Sequence, residues 1–494
     1  MRGRLQVSMV LLLAAVSMGA ADAKRSLVDA VKVGDRAAVR SLLKQGNVDT
    51  PDLHGATSLH WAVNREDLET VDLLIAAGAN VKATNAFGAT PLWLACANGN
   101  AAVLEKLLRA GADPNVTMAE GDTTLMTAAR SGSVAGVRLL LGKGVDVNAR
   151  ERSMGQTALM WAASEGHTDV VKALLEGGAD LQARSTGSGR FTSFLFAVRA
   201  GRMDTVRALL AAGSNVNEAL ENKTSTNGAS ALILAIASTQ YEMAAFLLEQ
   251  GANPHPPNWG WSAMHQLEFT RRPPAGRHGV PFPVPTGTMD GVTLAKKLLE
   301  HGANPNARMT KEPMGAYFGR WGHTHSGVTP FWLASKYVDL PMMRLLLAHG
   351  ADPMLTQEDG TTPLMAAAGV DIYAPGYEPG TPEEVMEAVK MLMSLGNDPA
   401  AINVNGDTAL HGAAIRGNNE VVLVLVNAGA RLDVKNKRIS NKGVTSDSER
   451  EGRDGGWTPW QQATYSYQNG RALSQPETAA LLARLMKERG IPVE

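Results

Sequence analysis

The sequence predicts an all-α solenoid of about twelve helix-turn-helix units joined by finger loops, and three observations carry that prediction. The tripeptide Gly-Ala-Asn or Gly-Ala-Asp returns about every 33 residues, first as Gly78-Ala79-Asn80 and Gly111-Ala112-Asp113, and a fixed period of that size marks a stacked repeat array. A leucine-rich pair such as Leu73-Leu74, Leu107-Leu108, Leu140-Leu141 or Leu174-Leu175 comes just before each such glycine. A string led by Thr or Ser follows, as in Gly88-Ala89-Thr90-Pro91-Leu92-Trp93-Leu94-Ala95 and Gly360-Thr361-Thr362-Pro363-Leu364-Met365-Ala366-Ala367.

Each part of the period has a physical task. The Thr or Ser hydroxyl accepts a hydrogen bond from an otherwise orphaned N–H at the start of the first helix, and Pro directly after it occupies the position where a missing donor costs nothing. Leu159, Ala162 and Ala163 then fall on one helical face, where their size lets neighbouring units approach closely. The leucine pair ends a second helix, and the glycine terminates it in a left-handed conformation that a Cβ disfavours. A unit of about 33 residues is too short to fold unaided, so each must bury its apolar stripe on its neighbours.

The string Gly55-Ala56-Thr57-Ser58-Leu59-His60-Trp61-Ala62, its two counterparts above, and variants led by Thr123, Thr157, Thr192, Ser230, Ser262, Thr329, Thr408 and Thr458 resemble the ankyrin repeat. The resemblance spans most of the chain, with regular repeats over about 52–213 and irregular ones with loop insertions over about 214–494. It implies that first helices line a concave groove, second helices lie outside, and fingers project between units. It also implies that His60, His265 and His411 hydrogen-bond backbone between units, and that recognition rests on variable surface side chains on a constant frame.

The first 23 residues read as a signal peptide. Arg2 and Arg4 precede the apolar run Val7–Val16, and Ala21-Asp22-Ala23 offers the small residues of a cleavage site. The interrupted Arg2-Gly3-Arg4 points to general secretion rather than the twin-arginine route. Later apolar stretches are shorter than 18 residues, so the mature chain is expected not to insert in a membrane. The single cysteine, Cys96, stands where the repeat usually has alanine and reads as a small buried hydrophobe. A net charge of −1 gives no electrostatic footprint for general nucleic-acid binding. Export combined with a repeat array lacking disulfides is similar to the long exported ankyrin proteins of bacteria, and the stretch from about Gly260 onward resembles them. That resemblance implies a periplasmic or secreted location and no activity. The sequons Asn115-Val116-Thr117 and Asn222-Lys223-Thr224 are chance matches in such a chain.

Departures from the period are where individual function is sought. Extra finger residues fall at about 218–227, 308–326 and 436–455, and extra residues between the two helices of one unit at about 271–289 and 370–382. The finger at 308–326 combines Arg308, Lys311, Tyr317, Phe318, Arg320, Trp321, His323 and His325, the side-chain types that anchor interfaces. Its alternative role is a loop folded on its own scaffold. His323-x-His325 supplies two imidazoles, short of the three or four ligands that a zinc site needs. The proline-rich segment from Arg271 and Arg272 to Pro285 favours an extended excursion and places Arg271, Arg272, Arg277 and His278 along one edge, either to receive an anion or to keep the loop solvated. Tyr373 and Tyr377 fall on the same edge. Lys435–Asp454 is polar without an apolar stripe and reads as a mobile finger; Pro476–Arg489 reads as the terminal helix.

No phosphate loop, Gly-x-Ser-x-Gly elbow, His-Glu-x-x-His or haem motif is present in the sequence. His265, Glu268 and Arg271 share a helix face, but the spacing suits an intrahelical charge pair as well as acid–base chemistry. The sequence therefore predicts no cofactor and no catalytic or metal site. It predicts an exported scaffold that holds another exported protein through its groove and the 308–326 finger, with recognition of a small anion or carbohydrate near Arg271, Arg272 and Arg308 as the alternative.

Overall fold

The computed structural model describes residues 26–187, 189–221, 228–255, 260–272, 286–311, 326–370, 372, 379–437, 456–465, 467–468, 471–472 and 474–493. The chain divides into two compact units, 1–222 and 223–494. Each holds six helix pairs among its described residues.

In unit 1 the pairs are α1 (Leu27–Val33) with α2 (Arg36–Leu42), α3 (Ser58–Asn64) with α4 (Leu68–Ala76), and α5 (Pro91–Asn98) with α6 (Ala101–Arg109). They continue with α7 (Thr124–Ser131) and α8 (Val134–Leu141), α9 (Ala158–Glu165) and α10 (Thr168–Glu176), and α11 (Ser193–Arg199) and α12 (Met203–Ala211). First helices pack on first helices and second helices on second helices, giving two layers. The predicted caps are in place: Thr90 Oγ1 accepts from Trp93 N at 3.1 Å, with Pro91 in the first turn. After the second helix of the next-to-first pair comes Gly78, at φ +84°. Nothing stands within 4 Å of where a Cβ would sit there, so its glycine answers to backbone conformation rather than to crowding.

Unit 2 repeats the scheme with α13 (Ala231–Ala237) and α14 (Tyr241–Glu249), α15 (Ala263–Arg271) and α16 (Gly291–Glu300), and α17 (Pro330–Lys336) and α18 (Leu340–Ala348). It ends with α19 (Pro363–Ala368) and α20 (Pro382–Ser394), α21 (Ala409–Arg416) and α22 (Asn419–Asn427), and α23 (Pro459–Tyr465) and α24 (Pro476–Glu488). A two-residue antiparallel ladder, Tyr467–Gln468 against Arg471–Ala472, sits inside the last pair. The long connections within a pair run from α15 to α16 and from α19 to α20, at the two places where the sequence shows extra residues.

Burial follows the predicted stripes, with Leu59, Leu74, Leu92, Leu107, Leu174 and Leu298 all at 1% exposure or less. Cys96 is buried, and that burial raises its thiol above the ordinary range, so it behaves as a hydrophobe. Among the described residues no helix is long and apolar enough to cross a membrane. The expected leader at 1–23, and the expected mobile finger at 435–454 from residue 438 on, lie outside the described residues.

Candidate functional site

The histidines at the start of three first helices act as structural cross-links. In α3, His60 Nδ1 accepts from Thr57 N at 3.1 Å while its Nε2 lies 3.0 Å from Ala89 O in the next pair. His265 repeats this with Ser262 N (3.1 Å) and Val328 O (3.1 Å), and His411 with Thr408 N (3.1 Å) and Trp457 O (2.9 Å). A ring nitrogen that accepts from an N–H must be unprotonated, so each imidazole is neutral with its proton on Nε2. Burial holds His265 and His411 down to about 4 and lowers His60 as well. With both nitrogens engaged, these rings have no capacity left for acid–base work. Trp332 takes over the same cross-link in α17, its Nε1 donating to Thr361 O at 2.9 Å.

The finger turns are built by a side-chain oxygen that gathers their N–H groups. Asn85 Oδ1 accepts from Phe87 N and Ala89 N, both at 3.0 Å, and Asp52 Oδ1 accepts from His54 N at 2.9 Å and Ala56 N at 3.0 Å. In the longer turn after α8, Glu151 does this for Ser153, Met154 and Gln156. Neighbouring turns are tied by main-chain bonds, Ala86 N to His54 O (2.9 Å) and Thr186 N to Met154 O (2.7 Å) among them. Because the polar groups of each turn are satisfied internally, the residues at the tips are left to solvent. Leu53 is fully exposed, Phe87 is 52% exposed and Met154 42%. The sequence reading did not single them out. The signal available to it was a large apolar side chain one to three places after the turn-forming Asp, Asn or Glu.

Of the residues expected to bind a partner, four are described, and they stand in two separate places. Arg308 Nη1 donates to Gly327 O (2.8 Å) and Thr356 O (3.0 Å), strapping one finger base to the next. Arg150 makes the equivalent strap in unit 1, to Gly155 O and Arg184 O. Lys311 is exposed on the same finger, its N–H bonded to Gly260 O at 3.0 Å. Tyr317, Phe318, Arg320, Trp321, His323 and His325 lie outside the described residues, as do Arg277, His278, Tyr373 and Tyr377. Among the described residues no group of His, Cys, Asp and Glu is arranged to hold a metal.

Arg271 and Arg272 stand at the opposite edge, where α15 ends. Arg271 grips Asp339 with two bonds, Nε to Oδ2 at 2.6 Å and Nη2 to Oδ1 at 2.8 Å. Asp339 is fully buried and caps α18 through Met342 N (3.2 Å), so one carboxylate joins two pairs and starts a helix. Arg272 donates to Val338 O and to Glu384 at 3.1 Å. Both guanidiniums are therefore engaged within the protein, and Arg271 is not paired within its helix, as the sequence spacing allowed. Gly291, the first residue of α16, makes room for Arg271: a Cβ there would meet Arg271 Cδ at 2.7 Å.

Beneath this pair lies Glu268, 1% exposed, with neither carboxylate oxygen hydrogen-bonded. Desolvation, and then the charge of Asp339, push its pKa well above the usual carboxylate range despite Arg271 and Arg272. Tyr241, at the start of α14, faces the same group and is pushed up to about 12 by burial. A buried acid in a packed core is chemically distinctive, but the histidine on its helix is committed to a carbonyl. The arrangement works as an inter-pair lock.

In unit 1 the first-helix layer carries a different feature, a series of cations on aromatic rings. Lys32 Nζ lies 4.4 Å from the Trp61 ring and pairs with Asp52 at 2.9 Å. The Arg130 guanidinium carbon lies 5.3 Å from the Trp161 ring, and that of Arg199 lies 4.7 and 5.3 Å from those of Phe191 and Phe196.

Three family models match the chain. "Ankyrin repeats (3 copies)" matches residues 27–118, 92–185 and 184–258; "Ankyrin repeats (many copies)" matches 324–365; and "Ankyrin repeat" matches 405–437. The chain is also 37% identical over 92 residues to an intracellular phospholipase A2 of Caenorhabditis elegans, a stretch that is 18% of this chain and only 8% of that protein. The crystal structure of the human ASB11 ankyrin repeat domain aligns at 22% identity with a TM-score of 0.41, over 54% of this chain and all of that one. The family matches take in more than half of the sequence and coincide with helix pairs, Asn- or Asp-built fingers and histidine cross-links, so the chain belongs to the ankyrin repeat family.

Proposed function

We propose that the chain is an exported scaffold that holds another exported protein through its first-helix layer and finger turns. Ankyrin repeats generally mediate protein–protein interaction, and the family membership supports that coarse reading. The observation that carries it further is the row of apolar tips, Leu53, Phe87 and Met154, held out on turns whose polar groups are already satisfied. Apolar and aromatic side chains presented on a rigid frame lose little entropy on binding and act as anchors. The aromatic and basic finger at 308–326 supplies a second contact, and the leader at 1–23 carries the chain out of the cytoplasm. Recognition of a small anion by Arg271, Arg272 and Arg308 has less support, since each is engaged with a protein acceptor.

The test is crosslinking in the native cell envelope followed by mass spectrometry, on the parent chain, on Leu53→Ser with Phe87→Ser, and on a deletion of Met309–Thr324. Loss of a defined crosslinked protein in the double variant is expected, with a smaller loss in the deletion. An unchanged crosslink pattern in both rejects the reading.

A further inference from the structure

The series of cations on rings in unit 1 narrows the partner's chemistry. Lys32 is already neutralised by Asp52, but no carboxylate pairs with Arg199 among the described residues, and its guanidinium is held on two rings while the residue stays exposed. Arg130 is likewise held on Trp161 without an ion pair; the half-buried Asp122 feels its charge at a distance. Stacking fixes the plane of a guanidinium, so its forked donors are ordered before a carboxylate arrives.

The arginines sit on α7 and α11, with α9 between them in the layer. Helices pack at ~8–10 Å, which puts the two cations roughly 20 Å apart, the reach of about six extended residues. We infer that the first-helix layer of unit 1 binds an extended acidic segment of the partner protein, with one carboxylate on Arg130 and a second, about six residues away, on Arg199. This rests on the scaffold reading above and adds the charge and spacing of what is held. A peptide fits the surface better than a nucleic acid does, because Leu53, Phe87 and Met154 line the fingers of the same unit and need apolar contacts.

A library of random twelve-residue peptides selected on the full chain is expected to enrich sequences with two carboxylates five to seven residues apart. The best of them should bind Arg199→Ala and Arg130→Ala at least ~10-fold more weakly, the range of an interface anchor. Arg199→Lys should also lose affinity, because it keeps the charge but not the planar stack. Unchanged thermal unfolding confirms that these substitutions, at the exposed Arg199 and the half-buried Arg130, leave the fold intact. Enrichment of neutral or basic peptides, no enrichment, equal binding by the alanine variants, or preferential binding of an oligonucleotide of matched charge each overturns the inference. If the native crosslink still disappears with Leu53→Ser and Phe87→Ser while acidic peptides fail, only the acidic-segment inference falls. If the crosslink persists in that variant and in the Met309–Thr324 deletion, the scaffold reading falls with it.

Discussion

Six residues after the capping Thr or Ser, unit 1 buries Val63, Cys96, Ala129, Ala163 and Val198, whereas unit 2 buries Ile236, Glu268, Ser335, Ala368 and Ala414 at the same position. The helical frame is the same in both. A carboxylic acid survives in the second set because the neighbouring pair supplies Asp339, which binds Arg271 and keeps that guanidinium off Glu268. Unit 1 has its own partly buried pair, Arg184 with Glu218 at 3.0 Å, and exposed pairs such as Lys106 with Asp72 at 2.6 Å or Arg138 with Glu176 at 2.9 Å, the last two bridging successive second helices. The same repeat can therefore fill this position with an apolar side chain, or with a buried acid beside an inter-pair lock. The lock stands at the end of α15.

The largest test of this contrast is Asp339→Ala. Removing one partner of a buried ion pair strands the other charge, so a loss of ~3–5 kcal/mol is expected, in addition to the lost cap on α18. Amide exchange should show the loss in α15 to α18 and leave unit 1 unchanged, and equal protection throughout the chain contradicts the lock.

Leu174→Ala is the matching probe in unit 1. It leaves a cavity in a fully buried site and is expected to cost ~2–5 kcal/mol by denaturant unfolding, with faster exchange in α9 to α12. A cost near zero removes the claim that close packing at this site holds the unit together.

Acidity separates the units next. His60, His265 and His411 have folded pKa values below that of a free histidine, so the unfolded chain binds more protons and stability rises with pH, from about 4 up to the ordinary 6.5 for the last two. For His265 or His411 the full effect is roughly 3 kcal/mol. Glu268 acts in the opposite sense: its folded value is raised, the native state holds the proton longer, and stability falls as pH rises above the ordinary carboxylate value of 4.5. Exchange protection in α15 and α16 should therefore pass through a maximum with pH, while that of α3 to α6 only rises. Glu268→Gln should remove the falling limb, and its persistence in that variant assigns it to another group.

The smallest effect is expected at the surface. Asp72→Ala breaks the ion pair with Lys106, in which both side chains are at least 34% exposed, and should change stability by less than ~1 kcal/mol, diminishing in salt. A loss comparable to that of Asp339→Ala erases the distinction between the two kinds of charge pair.

Much of this molecule could be read from its residues in order. Caps such as Thr90-Pro91, terminating glycines such as Gly78, and apolar faces such as Leu159 to Ala163 act within one or two helical turns, so local spacing is enough to place twelve helix pairs and their long connections. The cross-links of His60, His265 and His411 were legible only through the resemblance to the ankyrin repeat, since the carbonyls they reach lie 29, 63 and 46 residues away. The sequence could not show what depends on residues far apart in the chain. Arg271 and Asp339 are separated by 68 positions, and their bond turned a helix-end arginine into an inter-pair lock with the buried Glu268 beneath it. Tip exposure at Leu53, Phe87 and Met154, and the stacking of Arg130 on Trp161, were likewise decided by the alignment of neighbouring pairs. Local chemistry sets where helices start and stop; which side chains share a buried space or an open one is fixed only when separate segments come together.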